Sequence, residues 1–134
     1  MKRVFLLLLL ACCLLIAPAS AAGGSGTAAD PYIIETAAEL QSIQNNLAAH
    51  YILANDIDMS SITNWQPIGS LSAPFTGSLN GNNHKILNLY YTSSSTINDA
   101  GHGLFSAVSG ATIQNINIHD FTIDAYNDIG LLIG

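Results

Sequence analysis

The sequence predicts a mainly β protein, a parallel β-solenoid with one short capping helix before it. Two observations lead to this prediction. After residue 50, the chain consists of short apolar runs separated by Ser, Asn and Gly, and no second helical period follows. Two separate blocks of the chain also match later blocks at a constant offset of 27 residues, which is the kind of self-similarity that repeat folds show.

The internal repeat is clearest between the segments KILNLYY and TIQNINI. The aligned positions are Ile86 with Ile113, Asn88 with Asn115, Leu89 with Ile116, and Gly103-Leu104-Phe105 with Gly130-Leu131-Leu132. We expect the aligned aliphatic residues to point inward and stack, Ile86 on Ile113 and Leu89 on Ile116. Burying such a column would contribute about 1.5–3 kcal/mol for each side chain, which can replace disulfides as the source of stability.

The alternation of apolar side chains breaks twice within one repeat, at Asn115 and at His119-Asp120. Asn, Asp and Gly tolerate the left-handed backbone that a sharp bend requires. Strands that bend at such points and return to register would form one turn of a solenoid, with parallel pairing between turns about 4.8 Å apart. We likewise expect Gly77, Gly81, Asn82 and Asn83 to turn the chain ahead of the strand at 85–91.

The N-terminal part of the domain contains the predicted helix. Thr36 and Glu39 have the spacing of a capping box, and an apolar stripe follows at intervals of three and four residues, ending near residues 46–49. The stripe comprises Ala37, Leu40, Ile43 and Leu47. A helix here would cover the open end of the solenoid, whose unpaired edges and apolar interior otherwise invite aggregation.

Two short strands flank this helix, and a loop follows them. DPYIIE reads as an extended entry, and YILANDIDM places Ile57 and Met59 on one face with Asp56 and Asp58 on the other. In the loop that comes next, Trp65 is the expected local anchor.

The chain begins with a secretory leader. Two basic residues precede an apolar run from Val4 to Ala17, and Ala-Ser-Ala at 19–21 is a cleavage pattern, so residues 1–21 are predicted to be a signal peptide. The run is short for a membrane anchor, which needs about 20 residues. Lipid attachment at Cys12 is the other alternative. Residues 22–29 are predicted to be a flexible linker, and 30–134 the repeat domain.

Removal of the leader leaves 113 residues, no cysteine, and one basic residue, Lys85, against nine acidic ones, a net charge of −8. A single lysine excludes nucleic-acid binding, which needs clustered basic residues. It also argues against anionic membrane surfaces. The mature protein is therefore expected to be secreted or held at the cell surface, with no membrane span after the leader is removed.

The stretch FTGSLNGNNHKILNL resembles the F-x-G-x-x-x-G-x-x-H-x-I-x-x-L signature of secreted bacterial right-handed β-helix proteins with GLUG repeats. The matching residues are Phe75, Gly77, Gly81, His84, Ile86 and Leu89, with Ile113, Asn115 and Ile116 in the next copy. The resemblance implies a right-handed parallel β-helix (solenoid), an adhesin-like role for the protein, a structural role for these nine residues, and no catalytic residues. His84 is then expected to be a hydrogen-bonding post at a corner.

The sequence departs from that repeat at two positions. Ser106 stands where the repeat usually has Gly, and Leu131 replaces one Gly of a pair, which would shift the register by one residue. Because the chain reaches Gly134 inside a repeat, we expect further repeats or domains beyond it. The partner, expected to be a host or cell-surface protein or a glycan, is not identified by the sequence.

The rival interpretation is a carbohydrate-active β-helix enzyme, either a glycan lyase or a hydrolase. Asp120 and Asp124 would supply the two carboxyl groups of a hydrolase, which must lie about 5–9.5 Å apart. Lys85 is the candidate base of a lyase. Surface charge at a corner explains these residues more simply, so we predict no catalytic site.

Metal and cofactor sites have little support in the sequence. Asp56 and Asp58 could contribute to a loose Ca²⁺ site, but the positions that an EF-hand loop reserves for Gly and Glu hold Ser61 and Pro67. The four histidines have no zinc-ligand spacing. We predict a non-catalytic module with a structural or adhesive role, and no cofactor.

Overall fold

The computed structural model of the chain describes residues 23–94, 101–125 and 130–133. The predicted signal peptide with Cys12, and Gly134 at the end of the chain, lie outside the described residues. The described part is mainly β with one short helix, and all pairings between its strands are parallel. Within it, the helical segments are too short and too polar to cross a membrane.

Helix α1 spans Ala37–Ser42 and continues as a 3-10 turn at Ile43–Asn45. The predicted capping box is confirmed, because the Thr36 hydroxyl accepts from the Glu39 N–H at 3.2 Å and the Glu39 carboxylate accepts from the Thr36 N–H at 3.0 Å. The predicted apolar stripe is buried at Ala37, Leu40 and Ile43. Helical backbone ends at Asn45, just short of the predicted range.

The strands are two to four residues long. They are β1 (Tyr32–Ile34), β2 (His50–Leu53), β3 (Ile57–Asp58), β4 (Ser78–Asn80), β5 (Lys85–Leu87), β6 (Tyr90–Thr92), β7 (Thr112–Gln114), β8 (Asn117–His119) and β9 (Thr122–Asp124). They form three sheets with the orders β1-β2-β4-β7, β3-β5-β8 and β6-β9. Sequence neighbours such as β4, β5 and β6 therefore lie in different sheets.

Each sheet takes one strand from successive stretches of the chain, which we call tiers. β1 forms the first tier, β2 and β3 the second (50–58), β4 to β6 the third (78–92), and β7 to β9 the fourth (112–124). Every tier hydrogen bonds in parallel to the next one. Short strands suffice because each needs to cover only one side of the tier.

The predicted 27-residue register is wrong. Ile86 pairs with Ile118, 32 positions later, and Ile113 lies beside Leu79. Leu89 and Ile116 are not stacked as predicted either, because Tyr91, two positions after Leu89, pairs with Ile123. The spacing between tiers also varies, since His50 pairs with Ser78 and Ser78 with Thr112. The aliphatic columns exist, but with different members.

The register failed because each of the last two tiers bends twice. Asn83 (φ 62°) and Asn88 (φ 58°) bend the third tier, and Asn115 (φ 54°) and Asp120 (φ 53°) bend the fourth. Corresponding bends are 32 residues apart, whereas the two bends of one tier are five apart. Matching Asn88 to Asn115 therefore aligned a second bend with a first one, which gives 27. The predicted bends at Asn115 and Asp120 are themselves confirmed.

The inward-facing side chains form one continuous core. Ile57 and Met59 are buried and Asp56 and Asp58 are exposed, as the alternation predicted. An aromatic series runs through the core, with ring centroids 5.6 Å apart for Tyr32 and Tyr51, 6.4 Å for Tyr51 and Phe75, and 5.1 Å for Phe75 and Phe105. Burial raises the pKa of Tyr51 to about 12, with a further contribution from Tyr32.

One side of the core is closed by loops and single bridges. Ile68 bridges Phe105, and Phe105 bridges Ile133, 28 positions later. The predicted match between 103–105 and 130–132 is therefore off by one residue, which agrees with the shift expected from Leu131. Trp65 is fully buried, as predicted for an anchor, and its indole N–H donates to the Leu104 carbonyl at 3.2 Å.

Residues 23–30 lie against the strands, although 22–29 were predicted to be a flexible linker. Gly23 makes an antiparallel bridge to Ile33, and the His50 N–H donates to the Gly26 carbonyl at 3.0 Å. Gly26 has φ +76° and sits against the Tyr32 ring, where a Cβ would overlap the ring. Glycine thus permits the close approach by which this segment borders the first tier.

Candidate functional site

The stretch 75–91, which carries the sequence motif, forms the front of the third tier. Phe75, Ile86 and Leu89 are buried in the core, with 0%, 0% and 1% of their surface exposed. His84 sits at the corner between β4 and β5, where its N–H donates to the Gly81 carbonyl at 2.8 Å. The motif therefore brings together core residues and a corner.

The two motif glycines serve close approach between tiers. A Cβ at Gly77 would overlap the Ala49 carbonyl of the tier before, and a Cβ at Gly81 would overlap the Asn115 carbonyl of the tier after. The chain was expected to turn at these glycines, but the left-handed residues at this corner are Asn82 and Asn83. The glycines are needed because neighbouring backbones pass too close for any side chain.

Asparagine side chains tie the tiers together at the first bend. The Asn55 amide donates to the Glu35 carbonyl at 3.0 Å, the Asn82 amide to the Leu53 carbonyl at 3.4 Å, and the Asn115 amide to Asn80 Oδ1 at 3.0 Å. The sequence analysis treated Asn82 and Asn115 only as bends, and it missed Asn55. A polar residue recurring at each bend is the signal that could have found this series.

Asp56, His84 and Lys85 meet on the outside of this bend. The Lys85 N–H donates to Asp56 Oδ1 at 2.9 Å, and His84 Nδ1 lies 3.5 Å from the same oxygen. The backbone hydrogen bond from Lys85 is the largest cause that lowers the pKa of Asp56, followed by His84. These groups are solvent-exposed, so the arrangement holds the corner together and gives no enclosed acid–base site.

The second bend has a matching contact. Asn88 donates its amide to Asp58 Oδ1 at 3.0 Å, and the Ser60 N–H donates to the same oxygen at 3.0 Å. The bond from Asn88 is the main cause that lowers the pKa of Asp58, and Ser60 adds to it. One oxygen of Asp56 and one of Asp58 are thus already used by hydrogen bonds within the chain.

Catalytic and metal-binding geometry is absent from the parts of the chain that the structure describes. Asp120 lies at a bend and Asp124 in β9, and both are exposed. Over residues 23–94, 101–125 and 130–133, no three His, Cys, Asp or Glu side chains cluster in a way that could hold a metal ion.

The fourth tier presents the largest change in burial. Leu79 and Ile86 of the third tier are fully buried, whereas their fourth-tier neighbours Ile113 and Ile118 are only half-buried. Phe121 is 47% exposed. β7, β8 and β9 also end their sheets in the described part of the chain. An apolar surface bordered by three strand edges can accept another parallel tier, and it is our candidate functional site.

The opposite end is covered. Residues 23–30 border β1, and α1 buries its apolar stripe against the core. Gln41 and Gln44 fasten α1 to the following loop, since the Gln66 N–H donates to Gln41 Oε1 at 3.1 Å and the Gly69 N–H to Gln44 Oε1 at 3.2 Å. Only the fourth-tier end therefore exposes a row of core positions.

Comparison with known proteins gives one family match. The model of the family described as the M26 IgA1-specific metallo-endopeptidase N-terminal region matches residues 37–133. This family is named for a peptidase region and not for GLUG repeats. Halomucin from Haloquadratum walsbyi is 38% identical over 122 residues, which make up 82% of this chain and 1% of halomucin.

Two further matches are also to longer proteins. A protein from Evansella cellulosilytica, provisionally named a Gly-rich membrane protein, is 38% identical over 72 residues, 48% of this chain and 8% of that protein. The crystal structure of a provisionally assigned immunoglobulin A1 protease from Bacteroides ovatus matches with a TM-score of 0.70 and 23% identity, over 85% of this chain and 34% of that one. At that identity the likeness concerns the fold alone. None of these relatives is described as a carbohydrate-active enzyme.

Proposed function

Because the chain belongs to the family of the M26 IgA1-specific metallo-endopeptidase N-terminal region, we propose that it is an extracellular module that accompanies other domains and does no chemistry itself. The observation that carries this proposal is the stack of parallel tiers, covered at one end and open at the other. Such a module provides rigid length and a surface. Function resides in sites and not in folds, and the described residues of this chain form no catalytic constellation.

The tiers are successive turns of a right-handed parallel β-helix. Three parallel sheets that each receive one strand per turn, with inward aliphatic columns and polar bends, support this reading. Strands of two to four residues would be unstable alone, but stacking supplies the pairing and burial that each turn lacks. The family name, the resemblance and the predicted leader together favour a secreted or surface location.

The fourth tier is the surface on which a further turn stacks. The relatives are far longer than this chain, which spans 1%, 8% and 34% of them. A further turn would bury the half-exposed isoleucines and Phe121, at about 25 cal/mol for each Å² of apolar surface. Any peptidase chemistry of a longer protein would then lie in another domain. Contacts with a host protein or a glycan would use the polar sides of the stack.

The stacking proposal can be tested by hydrogen exchange. We would lengthen the chain with a second copy of residues 101–133 and follow the backbone amides of β7, β8 and β9. Protection of these amides should rise toward that of β4 to β6, because a new tier would pair with their free edges. The matched control carries Asp in place of Ile113, Ile118 and Ile123 in the added copy alone. Equal protection in both versions would contradict stacking.

The non-catalytic part of the proposal needs a separate assay. The purified chain should leave immunoglobulin A1 intact during long incubation with Zn²⁺, and it should leave a panel of bacterial and host glycans unchanged. Cleavage of immunoglobulin A1 that a chelator abolishes, or glycan cleavage lost in Asp120→Asn or Asp124→Asn, would show that the chain itself is an enzyme.

A further inference from the structure

Two buried polar atoms of the described structure have no hydrogen-bond partner: Ser106 Oγ and His102 Nε2. Ser106 is 5% exposed and His102 is 3% exposed. Leaving a buried polar group unsatisfied costs about 1–3 kcal/mol, so two such groups a few residues apart call for a physical explanation. Both belong to the irregular side of the core, where single bridges replace a sheet.

His102 is held from one side only. Its Nδ1 lies 2.9 Å from the Tyr91 hydroxyl, and the two rings stack with centroids 5.5 Å apart. If the tyrosine donates this hydrogen bond, Nε2 carries a proton and needs an acceptor. If the imidazole donates it, Nε2 is a bare acceptor and needs a donor. Water satisfies both cases, since it can donate and accept.

A cleft of about 210 Å³ opens beside these groups. Its lining consists of Gln66, Pro67, Gly69, Tyr91, Gly101 and Ser106. The unpartnered Ser106 hydroxyl and the Tyr91 ring therefore border the same space, and His102 follows Gly101 in the chain. None of the lining side chains carries a charge, so the cleft suits a neutral occupant that forms hydrogen bonds.

The volume of the cleft decides which occupant fits. Sites for small-molecule ligands and cofactors usually have about 300–1,000 Å³, which is more than this cleft offers. A water molecule takes about 30 Å³ of liquid volume and needs two to four polar partners. The cleft has room for several waters, and Ser106 provides a buried anchor for the innermost one.

We propose that this cleft is an internal hydration site, in which an ordered water bonded to Ser106 Oγ begins a short chain of waters toward the Tyr91–His102 pair. The waters replace the hydrogen bonds that a regular sheet would supply between the loop at 66–69 and the segment at 101–106. The site stabilises the irregular side of the stack, independently of what the fourth tier binds.

The direct test is a crystal structure of the full chain at a resolution that shows ordered water. Density for a water within about 3.2 Å of Ser106 Oγ is expected. NMR magnetisation transfer from long-lived water to protons of Ser106 and Tyr91 would report the same site in solution. An empty cleft in the crystal, with no such transfer in solution, would overturn the proposal.

A stability comparison provides a second test, because the sign of the effect differs between a dry and a hydrated hydroxyl. If Ser106 Oγ is dry and unpartnered, Ser106→Ala should raise the folding equilibrium constant by about tenfold. If water satisfies it, Ser106→Ala should leave that constant unchanged or lower it. Ser109→Ala, at an exposed serine nearby, is the matched control. A stabilised Ser106→Ala beside a neutral control would contradict hydration.

Discussion

Single residues of unusual backbone geometry decide where this chain bends. Five non-glycine residues have positive φ, namely Asn82, Asn83, Asn88, Asn115 and Asp120. Asn and Asp adopt this conformation more readily than other side chains. Several of them also hydrogen bond to a neighbouring tier, so one residue type both turns the chain and joins the turns. This double role explains why Asn is frequent between the apolar runs.

Gly81 should not tolerate a side chain. A Cβ at this position would overlap the Asn115 carbonyl, so we expect Gly81→Ala to lower the free energy of unfolding by about 1–3 kcal/mol, the usual cost of overpacking. Gly23→Ala is the matched control, since a Cβ there would meet only the Ile33 side chain at 3.5 Å. Urea denaturation of both variants measures the difference. Equal stability of the two would refute the close approach.

The Asp58 carboxylate should make stability depend on acid pH. Hydrogen bonds from Asn88 and Ser60 lower the pKa of Asp58 in the folded state, so its contribution is complete above the unfolded pKa of about 4 and is lost as pH falls through the folded value. Asp58→Asn keeps an acceptor oxygen but removes the charge. Its melting temperature should therefore change less between pH 7 and pH 3 than that of the original chain.

Exposed Asp120, which no listed side chain contacts at the bend, provides the comparison for this experiment: Asp120→Asn should alter the acid dependence less than Asp58→Asn does. If both substitutions flatten the pH profile equally, the contact between Asp58 and Asn88 has no special role.

At the scale of elements, local chemistry was readable from the sequence and pairing was not. The capping box of α1, the alternation at 56–59 and the bends at Asn115 and Asp120 depend on neighbouring residues, so a single sequence reveals them. Which strand lies beside which depends on the number of residues in each corner. Four residues separate β4 from β5, but two separate β7 from β8. No local preference reveals such an insertion.

The helix cap is the element whose contribution can be measured most simply. Thr36→Ala removes the hydroxyl that accepts from the Glu39 N–H, and it should lower the free energy of unfolding by about 1 kcal/mol. Thr63→Ala changes an exposed threonine in a loop and is expected to have little effect. Thermal melts followed by circular dichroism would measure both. A cap that contributes nothing would leave the two variants alike.

For the whole molecule, composition and a short motif predicted more than the repeat alignment did. A cysteine-free, acidic domain with short apolar runs led to a stacked β fold, and the described structure is mainly β with parallel strands. The asparagine series and the Tyr91–His102 pair escaped prediction, because they join residues that come together only when tiers stack. The open fourth tier could be predicted only in outline, since its exposure depends on the true register.

The register between tiers is the central claim, and disulfide trapping tests it most directly. Leu87 and His119 are paired neighbours on β5 and β8, and both point away from the inward-facing Ile86 and Ile118. Cysteines at these two positions should form a disulfide under mild oxidation, identified by peptide mapping that separates it from Cys12 and Cys13. Cysteines at Leu87 and Gln114, which the 27-residue repeat would pair, should stay unlinked. Efficient linkage of the second pair and none of the first would contradict the account.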